Sequence, residues 1–331
     1  MFAVHNLPLA ILFCVVTMLG WGSWANTLKL AGKDKWPFEL FYWDYAIGVA
    51  AMGAIFAFTL GSFGSSGMPT LPNLDRASSG ALWIAFLSGA VFNVANILLV
   101  VAIDAAGMAV AFPVGVGLAL VIGTVESFVE TPRGNAPLLF AGVALIVLAM
   151  VMSALAHRRL PRKTGMNGMR GLVFAVIAGC LMGFFYPQLV RSISRDFNNA
   201  PIEPGRLTPY TALLLFGAGL LVSNLIVNTV FMRVSRITYG AYFRGSARLH
   251  FLGFLGGCIW MVALSLNVIA SGVAGPAISY ALGQGATLVA AIWGVLIWRE
   301  FREAPQGTTP FVASMFVCYA AGLILIGSAS L

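Results

Sequence analysis

Two carboxylic acids lie inside long apolar stretches of this chain of 331 residues, Asp44 in FYWDYAIGV and Glu126 in GTVESF. A carboxyl group that is withdrawn from water holds its proton more readily, so either residue could bind and release a proton near neutral pH. The alternatives are that Lys33 or Lys35 neutralises Asp44 at an interface, and that Glu126 is close enough to a surface to be solvated. Asp44 is the better candidate for proton coupling.

Amide, hydroxyl and aromatic side chains within the apolar stretches form a second set of candidates. A small polar solute needs a few amide or hydroxyl partners, and aromatic faces for its C–H surface. The candidates for substrate binding are Trp21, Trp24, Asn26, Asn93, Asn96, Pro113, Tyr186, Gln188, Asn228, Tyr280 and Gln284. The alternative is that the amides join one helix to another, that the tryptophans anchor at the membrane interface, and that the proline is a passive kink.

The composition of the chain indicates where these side chains must lie. Hydrophobic residues make up 60% of the chain and charged residues 9%, against about 25% charged residues in soluble domains. No soluble fold of this length can bury so much apolar surface, so the sequence predicts an integral membrane protein. The net charge of +8 then reflects orientation in the bilayer, and we expect no nucleic-acid partner. The cysteines lie in apolar runs without a CxxC pair, which favours packing over metal binding.

Ten apolar runs are long enough to cross a bilayer, which takes roughly 20 residues. They cover 8–30, 38–60, 80–103, 107–128, 136–155, 171–192, 209–231, 250–270, 274–297 and 309–329. The first run has no basic segment before it, so we expect it to be retained rather than cleaved as a signal peptide. The sequence therefore predicts an all-α integral membrane protein with ten transmembrane helices.

The two halves of the chain repeat one pattern. A shift of 168 positions (275 − 107) carries Gly107 onto Gly275 and Gly89 onto Gly257, and it holds over two helices and the turn between them. The predicted organisation is a first five-helix repeat, a basic linker and a second five-helix repeat, at 1–156, 157–170 and 171–331. Because five is an odd number, the second copy enters from the opposite face. The result is a 5+5 inverted repeat, which is typical of secondary transporters.

The distribution of basic residues predicts the orientation of the chain. Of the 19 Lys and Arg residues, 14 lie in the loops after predicted helices 1, 3, 5, 7 and 9. Basic loops remain in the cytoplasm, so we expect these loops to face the cytoplasm and both termini to be extracytoplasmic. The expected location is the inner, or plasma, membrane.

Short segments of the chain resemble known transporter families. The segment NILLVVAIDAAG (96–107) resembles the junction of the third and fourth helices in L-rhamnose–proton symporters and plant ureide permeases. The segments GWGSW (20–24) and WDY (43–45) are similar to first- and second-helix segments of ureide permeases and related sugar permeases of the glucose-ribose porter type. These families belong to the drug/metabolite transporter superfamily, whose members have ten helices in two inverted halves. The resemblance implies import of a sugar or a nitrogen-rich heterocycle, usually with a proton.

These observations favour a secondary active transporter that imports a small polar solute, first of all a sugar, by proton symport through alternating access. A ureide or nucleobase importer of the same fold and a drug or metabolite exporter are the alternatives. An enzyme is disfavoured because His5, His157 and His250 all lie near the ends of apolar runs, and HExxH and GxSxG motifs are absent from the sequence. We expect no cofactor besides the coupling proton, no metal, the bilayer and a small molecule as partners, and a monomer or weak homodimer.

Overall fold

The computed structural model describes residues 1–160, 168–199 and 201–331, and in these residues the chain is helical. Residues 161–167 of the predicted basic linker lie outside the described residues. The helices are α1 (Leu7–Ser23), α2 (Ala25–Gly32), α3 (Phe38–Phe58), α4 (Thr70–Arg76), α5 (Ser79–Ala106), α6 (Met108–Glu130), α7 (Ala136–His157), α8 (Gly168–Arg191), α9 (Pro209–Val234), α10 (Tyr239–Phe243), α11 (Ala247–Ala274), α12 (Pro276–Gly283), α13 (Ala286–Ile292) and α14 (Thr309–Ser328).

Ten helical segments of the described chain are long and apolar enough to cross a membrane, which confirms the predicted number of spans. The first span, Leu7–Gly32, consists of α1 and α2 and is interrupted at Trp24. The ninth span, Pro276–Ile297, was predicted as one helix but is interrupted after α12 and ends in a π-helix at Trp293–Ile297. Interrupted spans and π-turns leave main-chain groups outside the regular helical pattern, and transporters use such places to contact ions and solutes.

Several helices begin at recognisable capping residues. At the start of α1, the side chain of Asn6 accepts a hydrogen bond from the backbone N–H of Leu9 (2.9 Å). At the start of α7, Asn135 accepts in the same way from Leu138 (3.1 Å). Both helices carry proline in the first turn. The backbone N–H groups of the first turn have no partner within the helix, so proline, which lacks this group, costs no hydrogen bond there.

The helices pack into two compact units, and each unit combines segments from both halves of the sequence. The first unit contains Met1–Asn93 and Gln188–Val273, and the second contains Val94–Pro187 and Ala274–Leu331. These units are defined by packing, whereas the two predicted repeats are defined by sequence similarity. The division into repeats therefore stays a prediction.

In the first unit, α3 and α11 approach so closely that only glycine fits at two positions. A methyl group on Gly48 would overlap the carbonyl oxygen of Phe254, and one on Gly257 would overlap the carbonyl oxygen of Tyr45. Small residues allow such backbone contact between membrane helices, where van der Waals packing contributes much of the association.

The same arrangement occurs between α5 and α9 of that unit. A methyl group on Gly89 would overlap the carbonyl oxygen of Phe216, and one on Gly219 would overlap that of Phe86. The predicted shift of 168 positions carries α5 onto α11 in this region. Gly89 and Gly257, which this shift relates, are each in backbone contact with the facing helix.

Helices α3 and α9, the second span of each half, pack antiparallel in the first unit. The first turn of α3 meets the last part of α9, where the Asn228 side chain donates to the carbonyl oxygen of Glu39 (2.9 Å). Towards the other end, a methyl group on Gly53 would lie 3.1 Å from the carbonyl oxygen of Leu213. Opposite directions of equivalent helices are what an inverted repeat requires.

The second unit contains the repeated glycine turns. Gly107 and Gly275 each precede a helix, α6 and α12, with φ angles of 81° and 86°. This left-handed region is readily adopted only by glycine, so the shared residue type has a shared conformational cause. In this unit α7 and α14 also pack antiparallel, since the backbone N–H of Asn135 donates to Ala329 (2.9 Å) at one end and Arg159 donates to the carbonyl oxygen of Gln306 (3.4 Å) at the other.

Candidate functional site

Asp44 lies in the second turn of α3, and its side chain is 8% exposed. The Tyr242 hydroxyl donates a hydrogen bond to Oδ1 of Asp44 (2.7 Å), and Nδ1 of His250 lies 2.9 Å from Oδ2. We call these three residues the Asp44 cluster. Its partners differ from Lys33 and Lys35, which the sequence suggested for this carboxyl group.

The Asp44 cluster is held together by the close approach of α3 and α11. His250 lies in the first turn of α11, and a methyl group on Gly253, one turn later, would lie 2.6 Å from Cβ of Asp44. The His250 ring is packed edge-on between the rings of Trp36 and Tyr242, at centroid distances of 5.6 and 4.7 Å. These ring contacts fix the imidazole against the carboxyl group.

The chemistry of the cluster suits reversible proton binding. Burial, and next the hydrogen bond to Asp44, raise the pKa of the Tyr242 hydroxyl, so this hydroxyl remains a proton donor across the physiological pH range. The His250 side chain is 28% exposed. Because His250 is also bonded to Asp44, it connects the buried carboxyl group to the surface of the unit.

The sequence did not single out Tyr242 or His250. They are separated from Asp44 by 198 and 206 residues, and His250 was set aside because it lies at the end of an apolar run. One feature of the sequence could have indicated that Asp44 and His250 lie close together. Both residues are near the beginning of a predicted span, and both spans follow a basic loop.

Aromatic rings of the first unit pack around Trp260 of α11, and we call this group the Trp260 cluster. The ring of Phe92 stacks on Trp260 at 4.2 Å, and those of Phe216 and Trp21 stack at 5.8 and 6.0 Å. Tyr45 lies at 6.5 Å. Trp260 was not among the residues predicted from the sequence, although the shift of 168 positions carries Phe92 onto it.

The candidates of the first span contact α3 and α11. The indole N–H of Trp21 donates to the carbonyl oxygen of Trp260 (3.3 Å), and Trp24, at the interruption of the span, packs on Tyr45 at 5.0 Å. Asn26 donates to the carbonyl oxygen of Ser23 (2.9 Å), next to the same interruption. The two tryptophans therefore adjoin the ring cluster, whereas this bond of Asn26 stabilises a helix end.

The amide candidates of the first unit differ in their bonding. Asn93 donates to the hydroxyl of Ser223 (2.9 Å), and Asn228 donates to the main chain of α3 as described above. Gln188 lies near the end of α8 and is half-buried. Asn224, one turn before Asn228 on α9, has a fully buried side chain.

In the second unit, two predicted substrate-binding residues lie in contact. The rings of Tyr186 and Tyr280 stack at a centroid distance of 4.7 Å, and the Tyr280 hydroxyl donates to the carbonyl oxygen of Ala119 (3.2 Å). The Tyr280 ring packs against Gly123, where a methyl group would overlap it. Gln284 ends α12 at the interruption of the ninth span, within hydrogen-bond reach of Tyr280.

The remaining candidates are also in the second unit. Asn96 is buried on α5, and Pro113 lies inside α6, which continues without interruption on both sides of it. Glu126 lies in the last two turns of α6 and is half-buried. The two predicted proton-coupling residues thus belong to different units.

Comparisons with known proteins identify the family. The profile of the ureide permease family matches residues 41–161 and 155–329. Ureide permease 2 of Arabidopsis thaliana is 21% identical over 397 aligned residues, which cover 100% of this chain and 99% of that protein. Ureide permease 4 of the same plant is 22% identical over 404 aligned residues, with the same coverage.

A solved crystal structure has the same fold, with a TM-score of 0.62 and 16% identity over 97% of this chain and 98% of that chain. The two matches of the family profile fall one on each predicted half and together span 41–329, well over half of the chain. The resemblance inferred from short segments is thereby confirmed, and the chain is a transporter rather than an enzyme. This ten-span membrane protein belongs to the ureide permease family.

Proposed function

We propose that this transporter imports a ureide or a nucleobase together with a proton, by alternating access, and that Asp44 carries the proton. The observation behind this proposal is the Asp44 cluster: a carboxyl group inside a span, bonded to a tyrosine hydroxyl and next to an imidazole. Ionisable groups at such positions are costly and mark ion pathways in membrane proteins.

The choice of a heterocycle over a sugar rests on the family and on the ring cluster. The similar plant proteins are named as ureide permeases, which favours the alternative of the sequence analysis over its first expectation, a sugar. The Trp260 cluster gathers aromatic rings in the first unit, and planar heterocycles stack well on aromatic rings.

The geometry suggests how proton and solute are coupled. In its ionised form Asp44 accepts hydrogen bonds from the Tyr242 hydroxyl and from the Nδ1–H group of His250. Protonation of Asp44 weakens these bonds and removes a charge that resists movement within the bilayer. With the predicted orientation, Tyr242 and His250 lie at the cytoplasmic end of their helices. Re-forming both bonds then accompanies release of the proton to the cytoplasm.

The test is proton influx into vesicles that contain the purified protein. Uracil, allantoin and a set of sugars are added in turn, and external alkalinisation is recorded for the wild type and for Asp44→Asn. We expect alkalinisation with uracil or allantoin, its loss in Asp44→Asn, and retained solute binding in that variant.

The matched control is Asp34→Asn, since Asp34 pairs with Arg248 at an exposed position of the same unit (2.7 Å) and should be dispensable for coupling. Coupled uptake that persists in Asp44→Asn would contradict the role of Asp44. Alkalinisation with sugars alone would contradict the substrate class.

A further inference from the structure

Asn224 of α9 is fully buried, and among the residues that the structure describes neither its amide nitrogen nor its amide oxygen has a hydrogen-bond partner. An unsatisfied buried amide is destabilising, so a native protein that retains one usually has a reason for it. Asn228, one turn later, uses its amide nitrogen to join α9 to α3. Asn224 makes no such bond within the described chain.

The position of Asn224 follows from the contacts on either side of it. Asn228 bonds to Glu39 of α3, and a methyl group on Gly217, two turns before Asn224, would lie 3.0 Å from Cα of Ala50. Residues at these spacings share one face of a helix. Because the helices are antiparallel, Asn224 lies on the side of α9 that faces α3. Along the helix axis it is level with residues 42–45 of α3.

Aromatic rings and a second unsatisfied polar group are present on α3 at this height. The rings of Phe38, Tyr42 and Tyr45 form a stack with centroid distances of 4.8 and 5.1 Å. The Tyr45 hydroxyl is buried and, within the described residues, has no hydrogen-bond partner. Asp44 lies on the same turn, so these groups adjoin the proposed proton site.

We infer that Asn224 binds the lactam edge, the adjacent N–H and C=O groups, of the transported heterocycle and thereby selects it. This inference rests on the proposed function. A carboxamide presents one donor and one acceptor side by side in a plane, which matches the planar N–H and C=O pair of uracil and cyclic ureides. Such a solute satisfies both atoms of Asn224 at once.

The test combines stability with selectivity in the purified full-length protein. Binding of uracil and of 1,3-dimethyluracil, which has no N–H group, is measured by calorimetry for the wild type and for Asn224→Leu. We expect uracil affinity to fall about 10- to 100-fold in Asn224→Leu, and the preference for uracil over its dimethyl derivative to disappear. The thermal unfolding midpoint should rise, because an apolar side chain replaces an unsatisfied amide.

Thr211→Val on the same helix is the control. It should lower the unfolding midpoint, since it removes the buried hydroxyl contact with Thr208 (3.0 Å), and leave the ratio of the two affinities unchanged. Asn224→Ala provides the same selectivity measurement if leucine is not accommodated.

Two results would overturn the inference, and they differ in what else they affect. If Asn224→Leu keeps the wild-type ratio of affinities, or loses stability as Thr211→Val does, Asn224 is a structural residue and the proposed function stands. If the wild type binds neither uracil nor allantoin, the proposed substrate class fails and the inference fails with it.

Discussion

A carboxyl group within a membrane span requires partners for its ionised form, and Asp44 obtains them from two segments distant in the sequence. Tyr242 comes from the short helix α10 and His250 from the first turn of α11. The raised pKa of Tyr242 keeps its proton on the phenol, so the hydroxyl is a steady hydrogen-bond donor to Asp44.

Removal of the Tyr242 hydroxyl should therefore change the pH dependence of transport. In Tyr242→Phe, the ionised form of Asp44 loses a hydrogen bond, so Asp44 keeps its proton to higher pH. We expect the half-maximal pH of proton-driven uptake to move upward by roughly one to two units, since a hydrogen bond to a charged group contributes about 1.5–3 kcal/mol.

The control for this shift is Tyr239→Phe on the same short helix, whose hydroxyl contacts Thr229. It should leave the pH profile of uptake where it is in the wild type. Superimposable profiles for Tyr242→Phe and the wild type would show that the hydroxyl does not influence the coupling group.

At the scale of helices, the glycines that allow close contact explain how the candidate side chains come together. The Asp44 cluster depends on the approach of α3 to α11, and the contacts of Phe216 depend on the equivalent approach of α9 to α5. Neither pair could approach as closely with a larger residue at these positions, because backbone atoms occupy the place of the missing Cβ.

A substitution on α5 tests this explanation. In Gly89→Ala the new methyl group would overlap the carbonyl oxygen of Phe216, which is backbone and cannot rotate away. We expect a loss of about 1–3 kcal/mol in unfolding free energy, as for other overpacked sites, measured by thermal unfolding in detergent.

Gly80 on the same helix provides the comparison, since nothing lies within 4 Å of a methyl group placed there. Gly80→Ala should be neutral or slightly stabilising. Equal unfolding midpoints for Gly89→Ala and Gly80→Ala would mean that the close contact does not limit stability.

For the whole molecule, the ten spans are established and the orientation of the chain stays a prediction from its basic loops. We expect Leu331→Cys to react with a membrane-impermeant maleimide from outside intact cells. Arg302→Cys should react only after the membrane is permeabilised, because residue 302 lies in a loop predicted to be cytoplasmic.

The unsubstituted chain gives the background of this labelling, since Cys14, Cys180, Cys258 and Cys318 all lie within spans. The reverse pattern of reactivity would invert the orientation. It would also place Asp44 near the outer end of its helix and reverse the proposed direction of proton release.

The sequence by itself determined the membrane class, the number of spans, a resemblance to a few transporter families that include the ureide permeases, and the repeated glycine turns. These features are local: a bilayer requires a long apolar run for each span, and a left-handed turn requires glycine wherever it occurs, as at Gly107 and Gly275. The shift of 168 positions also relates Gly89 to Gly257, and in the first unit each of these glycines is in close contact with the backbone of a neighbouring helix.

Only the tertiary structure decided which side chains meet. It gave Asp44 the partners Tyr242 and His250, centred the ring cluster on Trp260, and left Asn224 without a partner in the described chain beside a bonded Asn228. The physical reason is that hydropathy is nearly uniform around these helices. The sequence therefore fixes where a helix crosses the membrane, whereas packing contacts between helices distant in the sequence decide which of its faces meets which neighbour.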